Sequence, residues 1–294
     1  MSPEELRLPM PWGHIAAKAW GSPNGKPVLM VHGLLDNAGS FDRLIPFLPF
    51  DHYFVCIDLP GHGFSSHFPA GLPLDYLNHV LALRRVLDSL KWSNCIYIGH
   101  SLGATVGMMF TSIYPERVKK ILCLDAAIAK PITNNGLIPH IRKVHDNILS
   151  IESKEKTMTV YTEDEVMHRL MYMRFFALNF AAAKALMKRS VTKIGDKYKL
   201  NRDVRLNAGL FPIFNYNQHL SLLKKLKSPA TVIAATATMT TVYYEQMARL
   251  SFDTSSMKQH RLLIVEGNHD VHNNHPERVA VHVCQFLSDL KSNL

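Results

Sequence analysis

A serine within a short glycine motif is the residue of this chain best suited to act as a nucleophile. The motif is Gly99-His100-Ser101-Leu102-Gly103, which has the form Gly-x-Ser-x-Gly. It follows an apolar run typical of a strand (94–98) and precedes an amphipathic segment typical of a helix (102–114). In that context it predicts a sharp turn that exposes the Ser101 hydroxyl, with glycine at both ends because side chains there would collide with the adjoining backbone.

A serine hydroxyl needs a base that takes its proton, and the chain contains 16 histidines. In an open parallel sheet, reactive groups collect where strands end, which selects histidines that directly follow a strand. His269 is such a residue, because it follows an apolar run at 261–266 and a Gly-Asn turn. We therefore predict that His269 is the general base. We interpret His272 and His275, which lie farther along, as surface or capping residues.

The carboxylate that would orient His269 is less obvious from the sequence. When a Ser-Asp-His triad is built on such a sheet, the acid usually follows a later strand, here 230–236, but no Asp or Glu occurs there before Glu245. The strand at 118–125 ends in Asp125, at the same edge of the sheet. We predict Asp125 as the triad acid, with Glu245 and Asp253 as alternatives. A structural Asp that bonds nearby amides is the competing interpretation.

Acyl transfer also needs N–H groups aimed at the developing oxyanion. We predict two backbone donors, the N–H of Leu102 after the nucleophile and the N–H of Leu34 in the loop after the strand at 27–32. In that loop Gly33 allows close approach, and we expect His32 to fix the loop by hydrogen bonds. The turn at 58–63 (DLPGHG) is interpreted as structural, with Asp58 accepting from amides. It lacks the spacing of a phosphate-binding glycine loop, so no nucleotide is assigned, and the expected chemistry requires no cofactor.

The elements that must position these residues alternate between strand and helix. The apolar runs typical of strands buried on both faces lie at 27–32, 53–58, 94–100, 118–125, 230–236 and 261–266. Helical periodicity occurs at 75–90, 102–114 and 276–290, and a hairpin is predicted over 6–20. The alternation predicts an α/β fold with a mostly parallel, doubly wound sheet.

One segment interrupts this alternation. Residues 128–227 contain helical patterns such as 166–189 and a short extended pair around Gly195-Asp196, but no buried parallel strand. We predict an inserted helical cap at 128–227 between two parts of an α/β core, 1–127 and 228–294. The Met- and aromatic-rich run at 170–180 is expected to pack on its own lobe, to roof an apolar pocket, or both.

Composition excludes several classes of protein. The chain has 294 residues, of which 47% are hydrophobic and 19% charged, which is typical of a globular protein. Its four cysteines form no Cys-x-x-Cys pair, so neither a zinc site nor a disulfide framework is indicated. No apolar segment reaches the length of a membrane span, and we expect a reducing compartment inside the cell.

The net charge of +9 is concentrated in one segment of the chain. Residues 128–227 carry 18 basic and 8 acidic residues, against 15 and 16 elsewhere. This segment lacks an aromatic-interleaved RNA motif and a helix-turn-helix signature, so nucleic-acid binding is not expected. The excess is interpreted as a solvated basic face or as a surface that attracts anions.

Together, these features resemble the α/β-hydrolases over residues 6–290. A closer resemblance is to the serine hydrolase-like (Kraken-like) proteins, carried by the runs WGHIAAKAWG (12–21), LLDNA (34–38), SFDRLIP (40–46), GHGFSSH (61–67) and LNRDVRL (200–206). The resemblance implies the α/β-hydrolase fold, a nucleophile at Ser101 and a helical cap. Some haloalkane dehalogenases, a sister family, place the triad acid after the same strand as Asp125.

The resemblance also bears on location. It implies peroxisomal residence besides the cytoplasm, since the last residues, KSNL at 291–294, resemble a degenerate Ser-Lys-Leu signal in which Asn293 replaces the basic residue.

Three functions are compatible with the sequence. The leading hypothesis is a serine hydrolase that cleaves carboxylic esters with an apolar acyl or alcohol group, with thioesters, lipid esters and carbon-carbon bonds left open. The second is a ligand-binding protein on a hydrolase scaffold with little or no turnover. The third is docking of the basic cap on anionic membranes or acidic partners. The expected partner is a small apolar ester, with no nucleic acid and no stable membrane insertion, and the sequence does not fix the oligomeric state.

Overall fold

The computed structural model describes residues 2–154, 158–211, 214–239 and 260–288. Its centre is an eight-stranded sheet with the strand order β1-β2-β4-β3-β5-β6-β9-β10. The strands are β1 (Glu4–Met10), β2 (Gly13–Trp20), β3 (Lys26–Val31), β4 (His52–Ile57), β5 (Cys95–His100), β6 (Val118–Leu124), β9 (Ala230–Ala235) and β10 (His260–Val265). The β1–β2 and β2–β4 pairs are antiparallel and the other pairs are parallel. The predicted α/β fold class and the edge hairpin are confirmed.

The strands carry apolar residues on both faces because both faces of the sheet are covered. Successive residues of a strand point to opposite faces. On β3, Leu29 and Val31 belong to the hydrophobic cluster that contains residues of α1 (Tyr76–Ser89) and α2 (Leu102–Ile113). Val28 and Met30 belong to a second cluster, which contains residues of α8 (Pro276–Ser288). The continuous apolar runs are therefore the consequence of a three-layer arrangement.

Strand register brings the predicted functional residues to one edge of the sheet. β5 and β6 pair in parallel with His100 opposite Leu124, so both strands end at the same level. The next residues along each strand, Ser101 and Asp125, therefore lie side by side at the carboxyl edge. β10 is two strands away from β6, on the other side of β9.

The segment predicted as a cap, residues 128–227, contributes no strand to the main sheet in the part that the structure describes. Its helices are α3 (Asn134–Ser153), α4 (Glu163–Tyr172), α5 (Phe180–Ser190) and α6 (Tyr216–Leu223). The predicted extended pair around Gly195 is the antiparallel hairpin of β7 (Val191–Ile194) and β8 (Lys197–Leu200).

The helical pattern at 166–189 does not form one continuous helix. α4 ends at Tyr172, and α5 begins after Asn179, whose side chain accepts the N–H of Ala182 at 2.9 Å. Between the two helices, Arg174 reaches two buried carboxylates of the core, at 3.0 and 2.7 Å. Residues 173–179, which include Arg174, separate the two helices.

A buried ion pair joins the cap to the core. Arg189 of α5 lies 2.8 Å from Asp58, in the loop after β4, and 2.6 Å from Glu5 of β1. Asp58 also accepts the N–H of Ala38 at 2.7 Å and of Phe64 at 2.8 Å. The amide-accepting role predicted for Asp58 is thus present, together with a charged partner from the cap.

Two further expectations concern membranes and location. Of the helices that the structure describes, none combines the length and apolarity that crossing a bilayer requires. The signal-like residues at 291–294 lie outside the described residues.

Candidate active site

Ser101 occupies a strained turn between β5 and α2. Its φ of 50° and ψ of −112° lie in a region that residues with a side chain rarely adopt. A Cβ on Gly99 would lie 2.5 Å from the backbone of Gly103, and a Cβ on Gly103 would lie 2.1 Å from the carbonyl oxygen of Val31. Both positions therefore require glycine, for the reason that the motif suggests.

The predicted nucleophile, base and acid are within hydrogen-bond distance of one another. His269 Nε2 lies 2.8 Å from Ser101 Oγ, and His269 Nδ1 lies 2.6 Å from Asp125 Oδ2. A carboxylate only accepts, so His269 Nδ1–H donates to Asp125 and Nε2 presents its lone pair to the serine hydroxyl. This is the arrangement in which the imidazole can take the proton of Ser101.

The Asp125 carboxylate is held from its other side by residues at the end of β9. Its Oδ1 accepts the N–H of Ala235 at 2.6 Å and the hydroxyl of Thr238 at 2.7 Å. The end of β9 is the position that usually provides a triad acid. Here it provides hydrogen-bond donors to Asp125, which follows the neighbouring strand β6. The alternatives Glu245 and Asp253 lie outside the described residues.

The environment of His269 favours a proton on the ring. Burial favours the neutral imidazole, but the Asp125 hydrogen bond and the negative charges of Asp125, Asp270 and Asp36 outweigh it, so the pKa of His269 is raised above 6.5. A base of raised pKa binds the transferred proton more strongly, which suits proton transfer from a hydroxyl.

The predicted oxyanion donors line the same cavity as Ser101. Within the described residues, the backbone N–H groups of Leu34 and Leu102 make no hydrogen bond to protein, whereas their neighbours do. The N–H of Leu35, at a positive φ of 65°, donates to His62 Nε2 at 3.1 Å. The N–H of Gly103 donates to the His32 carbonyl at 3.1 Å, which joins the loop to α2.

His32 fixes the loop after β3, as the sequence predicts. Its Nδ1–H donates to the Gly33 carbonyl at 2.7 Å, and its Nε2 accepts the N–H of Leu59 at 2.9 Å. Burial lowers the pKa of His32, and the two bonds require a neutral ring. The ring has no nitrogen left for proton transfer.

Behind the triad lies a buried polar cluster that the sequence does not reveal. Arg174 bridges Asp36 (3.0 Å) in the loop after β3 and Asp270 (2.7 Å) next to the proposed base. His100 Nε2–H donates to the carbonyl of His269 at 2.9 Å, which fixes the backbone of the base. Asp36 and Asp270 could have been identified as candidates because each follows the end of a strand. Nothing in the sequence distinguishes Arg174 from the other basic residues of segment 128–227.

The interpretation of His272 as a surface or capping residue is wrong. Its side chain is fully buried, its ring centre lies 4.1 Å from that of His100, and its Nε2 lies 2.6 Å from Ser40 Oγ. Burial lowers the pKa of His272 to about 3, so the ring is neutral. It is buried because the short helix α7 (Val271–Asn274) packs beneath the edge of the sheet. His275 is half-exposed, as predicted.

Asp36, His100 and Asp270 are the one group of metal-ligand side chains found in the described part of the chain, with ligand atoms within 4.8 Å of one another. Arg174 already supplies a positive charge to both carboxylates. Burial and the nearby Asp36 raise the pKa of Asp270 to about 7, against the opposing effect of Arg174. Arg174 therefore offsets part of the negative charge of these two carboxylates beside the predicted triad.

A cavity of about 540 Å³ opens onto Ser101. The cap contributes Leu170, Met173, Phe175 and Phe176 to its walls, and the ring of Phe176 lies 5.8 Å from that of His269. Leu170 also packs against the small apolar cluster inside the cap. The Met- and aromatic-rich run thus packs on its own lobe and roofs the pocket, and it can contact an apolar part of a ligand.

Comparisons with known proteins agree with the fold described above. A family model described as the α/β-hydrolase fold matches residues 26–276. The chain is 37% identical over 294 residues to serine hydrolase-like protein 2 of Homo sapiens, covering 96% of this chain and 93% of that protein. It is 30% identical to a probable serine hydrolase of Drosophila melanogaster, covering 97% and 88%.

Two solved structures share the fold. A hypothetical protein from Pseudomonas aeruginosa PAO1 superposes with a TM-score of 0.85 at 26% identity, covering 97% of this chain and 98% of that one. The thioesterase domain from the curacin biosynthetic pathway superposes with a TM-score of 0.79 at 20% identity, covering 96% and 99%. The second likeness shows the fold alone.

Proposed function

Since the chain belongs to the α/β-hydrolase fold family and to its serine hydrolase-like proteins, we propose that it hydrolyses carboxylic esters through a Ser101-His269-Asp125 triad. The observation that carries this proposal is the continuous hydrogen-bonded chain from Ser101 Oγ through His269 to Asp125, at 2.8 and 2.6 Å.

The proposed reaction has two half-reactions. Ser101 Oγ attacks the acyl carbon while His269 Nε2 takes its proton, and the N–H groups of Leu34 and Leu102 stabilise the oxyanion. His269 then gives the proton to the leaving alcohol, which departs and leaves an acyl-serine. Water, deprotonated by the same nitrogen, hydrolyses this intermediate and regenerates Ser101. The apolar cap residues favour an apolar acyl or alcohol group.

The proposal is tested by the intact mass of the protein after exposure to a fluorophosphonate. We expect one covalent adduct on the wild type and none on Ser101→Ala or His269→Ala, because the reagent reports an activated serine without requiring the substrate. Ser221→Ala removes an exposed serine of α6 and should keep the adduct. A folded wild-type protein that stays unlabelled would contradict the proposal and favour the ligand-binding hypothesis.

The pH profile of ester hydrolysis should reflect the raised pKa of His269. The base must be neutral, so kcat/KM should rise with pH, with a midpoint above the ordinary value of 6.5. Asp125→Asn should move the midpoint down, because the charge that holds the proton is removed. Asp270→Asn removes the carboxyl group that titrates near 7, and the rise should persist in that variant. A midpoint at or below 6.5 in the wild type would refute this assignment.

A further inference from the structure

The cavity that contains Ser101 also contains two arginines that lack a carboxylate partner. They are Arg169, in the last turn of α4, and Arg202, in the loop after β8. Neither side chain forms an ion pair or a hydrogen bond with any residue that the structure describes. Charged side chains that line a pocket and lack a counter-charge indicate that the ligand supplies it.

The surroundings of Arg169 support its guanidinium without neutralising it. The group lies 4.3 Å from the centre of the Tyr161 ring, where a cation is attracted to the aromatic face. Its place in the last turn of α4 adds the favourable end of the helix dipole. Both interactions orient the side chain, and neither contributes a negative charge.

Arg202 lacks even these supports. The carboxylate next to it in sequence, Asp203, is paired with Arg205 at 2.7 Å and also accepts the N–H of Arg205 at 2.9 Å. Arg202 is only partly exposed, so water solvates its charge incompletely. Burial, and next the positive charge of Arg169, lower the pKa of Arg202 below its ordinary value.

The charge of the cavity as a whole is also positive. Lys130 joins the two arginines in its wall. Among the described residues of the wall, the acidic ones are Asp125 and Asp270, which are already held by His269 and Arg174. The positive wall therefore attracts an anionic ligand. Because Asp125 and Asp270 already have partners, they do not compete with that ligand for the arginines.

We propose that Arg169 and Arg202 form a subsite for an anionic oxygen group of the substrate, a phosphate or a carboxylate. The planar fork of a guanidinium donates two parallel hydrogen bonds to either group. The substrate class is then an ester with an apolar portion against the Met- and Phe-rich wall and an anionic group at the arginine pair. This specificity rests on the proposed function, but the subsite itself binds anions without catalysis.

Binding is measured on the Ser101→Ala protein by calorimetric titration with inorganic pyrophosphate and, separately, with octanedioate. We expect at least one probe to bind, and Arg202→Gln to weaken its binding by about 10-fold to 100-fold, as expected for charge-assisted hydrogen bonds. The probe that binds identifies the source as phosphate or carboxylate. Lys193→Gln, which removes an exposed charge of β7 outside the cavity, should bind as the parent does. Absence of binding by both probes, or equal binding by Arg202→Gln, overturns the subsite.

Kinetics supply the second test. The ratio of kcat/KM for mono-4-nitrophenyl adipate to that for 4-nitrophenyl hexanoate should fall by about 10-fold or more in Arg202→Gln, and Lys193→Gln should leave it unchanged. If the parent protein binds octanedioate, an unchanged ratio in Arg202→Gln overturns the specificity. A protein that binds a probe at the arginines yet hydrolyses neither ester retains the subsite and loses the proposed function.

Discussion

Asp125→Asn is expected to reduce kcat for ester hydrolysis by about 10⁴-fold. The amide fits the space of the carboxylate but can donate its N–H₂ to His269 Nδ1. That bond would place the ring proton on Nε2, and a protonated Nε2 cannot accept the proton of Ser101. The variant also loses the charge that stabilises the imidazolium.

Glu245→Gln is the matched control, since it removes the alternative acid named by the sequence. It should change kcat by less than about 10-fold if Asp125 is the acid, because Glu245 would then take no part in the proton transfer. Thermal unfolding of both variants shows whether they remain folded. The reverse pattern, a large loss in Glu245→Gln and a small one in Asp125→Asn, would make Asp125 a structural acceptor for Ala235 and Thr238.

Arg189→Met is expected to lower the free energy of unfolding by about 3 to 5 kcal/mol. The guanidinium is 2% exposed and its partner Asp58 is fully buried, so removing the cation leaves a buried negative charge without its counter-ion. Met keeps much of the volume, and the loss therefore reports the charge more than a cavity. The measurement is urea unfolding, with an unchanged m-value.

Two variants separate this ion pair from the general effect of changing α5. Lys184→Met removes an exposed charge of the same helix and should change stability by no more than about 0.5 kcal/mol. Asp58→Asn combined with Arg189→Met should cost less than the sum of the two single changes, since no unpaired buried charge remains. A loss in Arg189→Met as small as that in Lys184→Met would mean that the ion pair only offsets its own desolvation.

The buried strands, the turn at Ser101 and the position of His269 could be predicted from local sequence. Strands buried on both faces are recognisable because every residue is apolar, and the glycines around Ser101 are recognisable because a turn that tight excludes a Cβ. The position of His269 follows from the rule that chemistry collects at strand ends. The acyl-transfer hypothesis needs only these local signals.

The support behind the triad could not be predicted, since it depends on contacts between distant segments. Arg174 looks like one of many cap cations until the fold brings it to Asp36 and Asp270, which lie 138 and 96 residues away in sequence. The burial of His272 could not be predicted for the same reason. The local sequence around a short helix does not show which distant residues cover it.

The order of the functional residues along the chain has a consequence for the timing of biosynthesis. Ser101 and Asp125 come from neighbouring strands that precede the cap, whereas the base lies 168 residues after the serine and 144 after the acid. A ribosome that has made residues 1–227 has produced the proposed nucleophile, Ser101, without the proposed base. The hydroxyl of a nascent or prematurely terminated chain is thus an ordinary alcohol. Reactivity would arise only when the last strand and its following turn dock against a sheet that is otherwise complete.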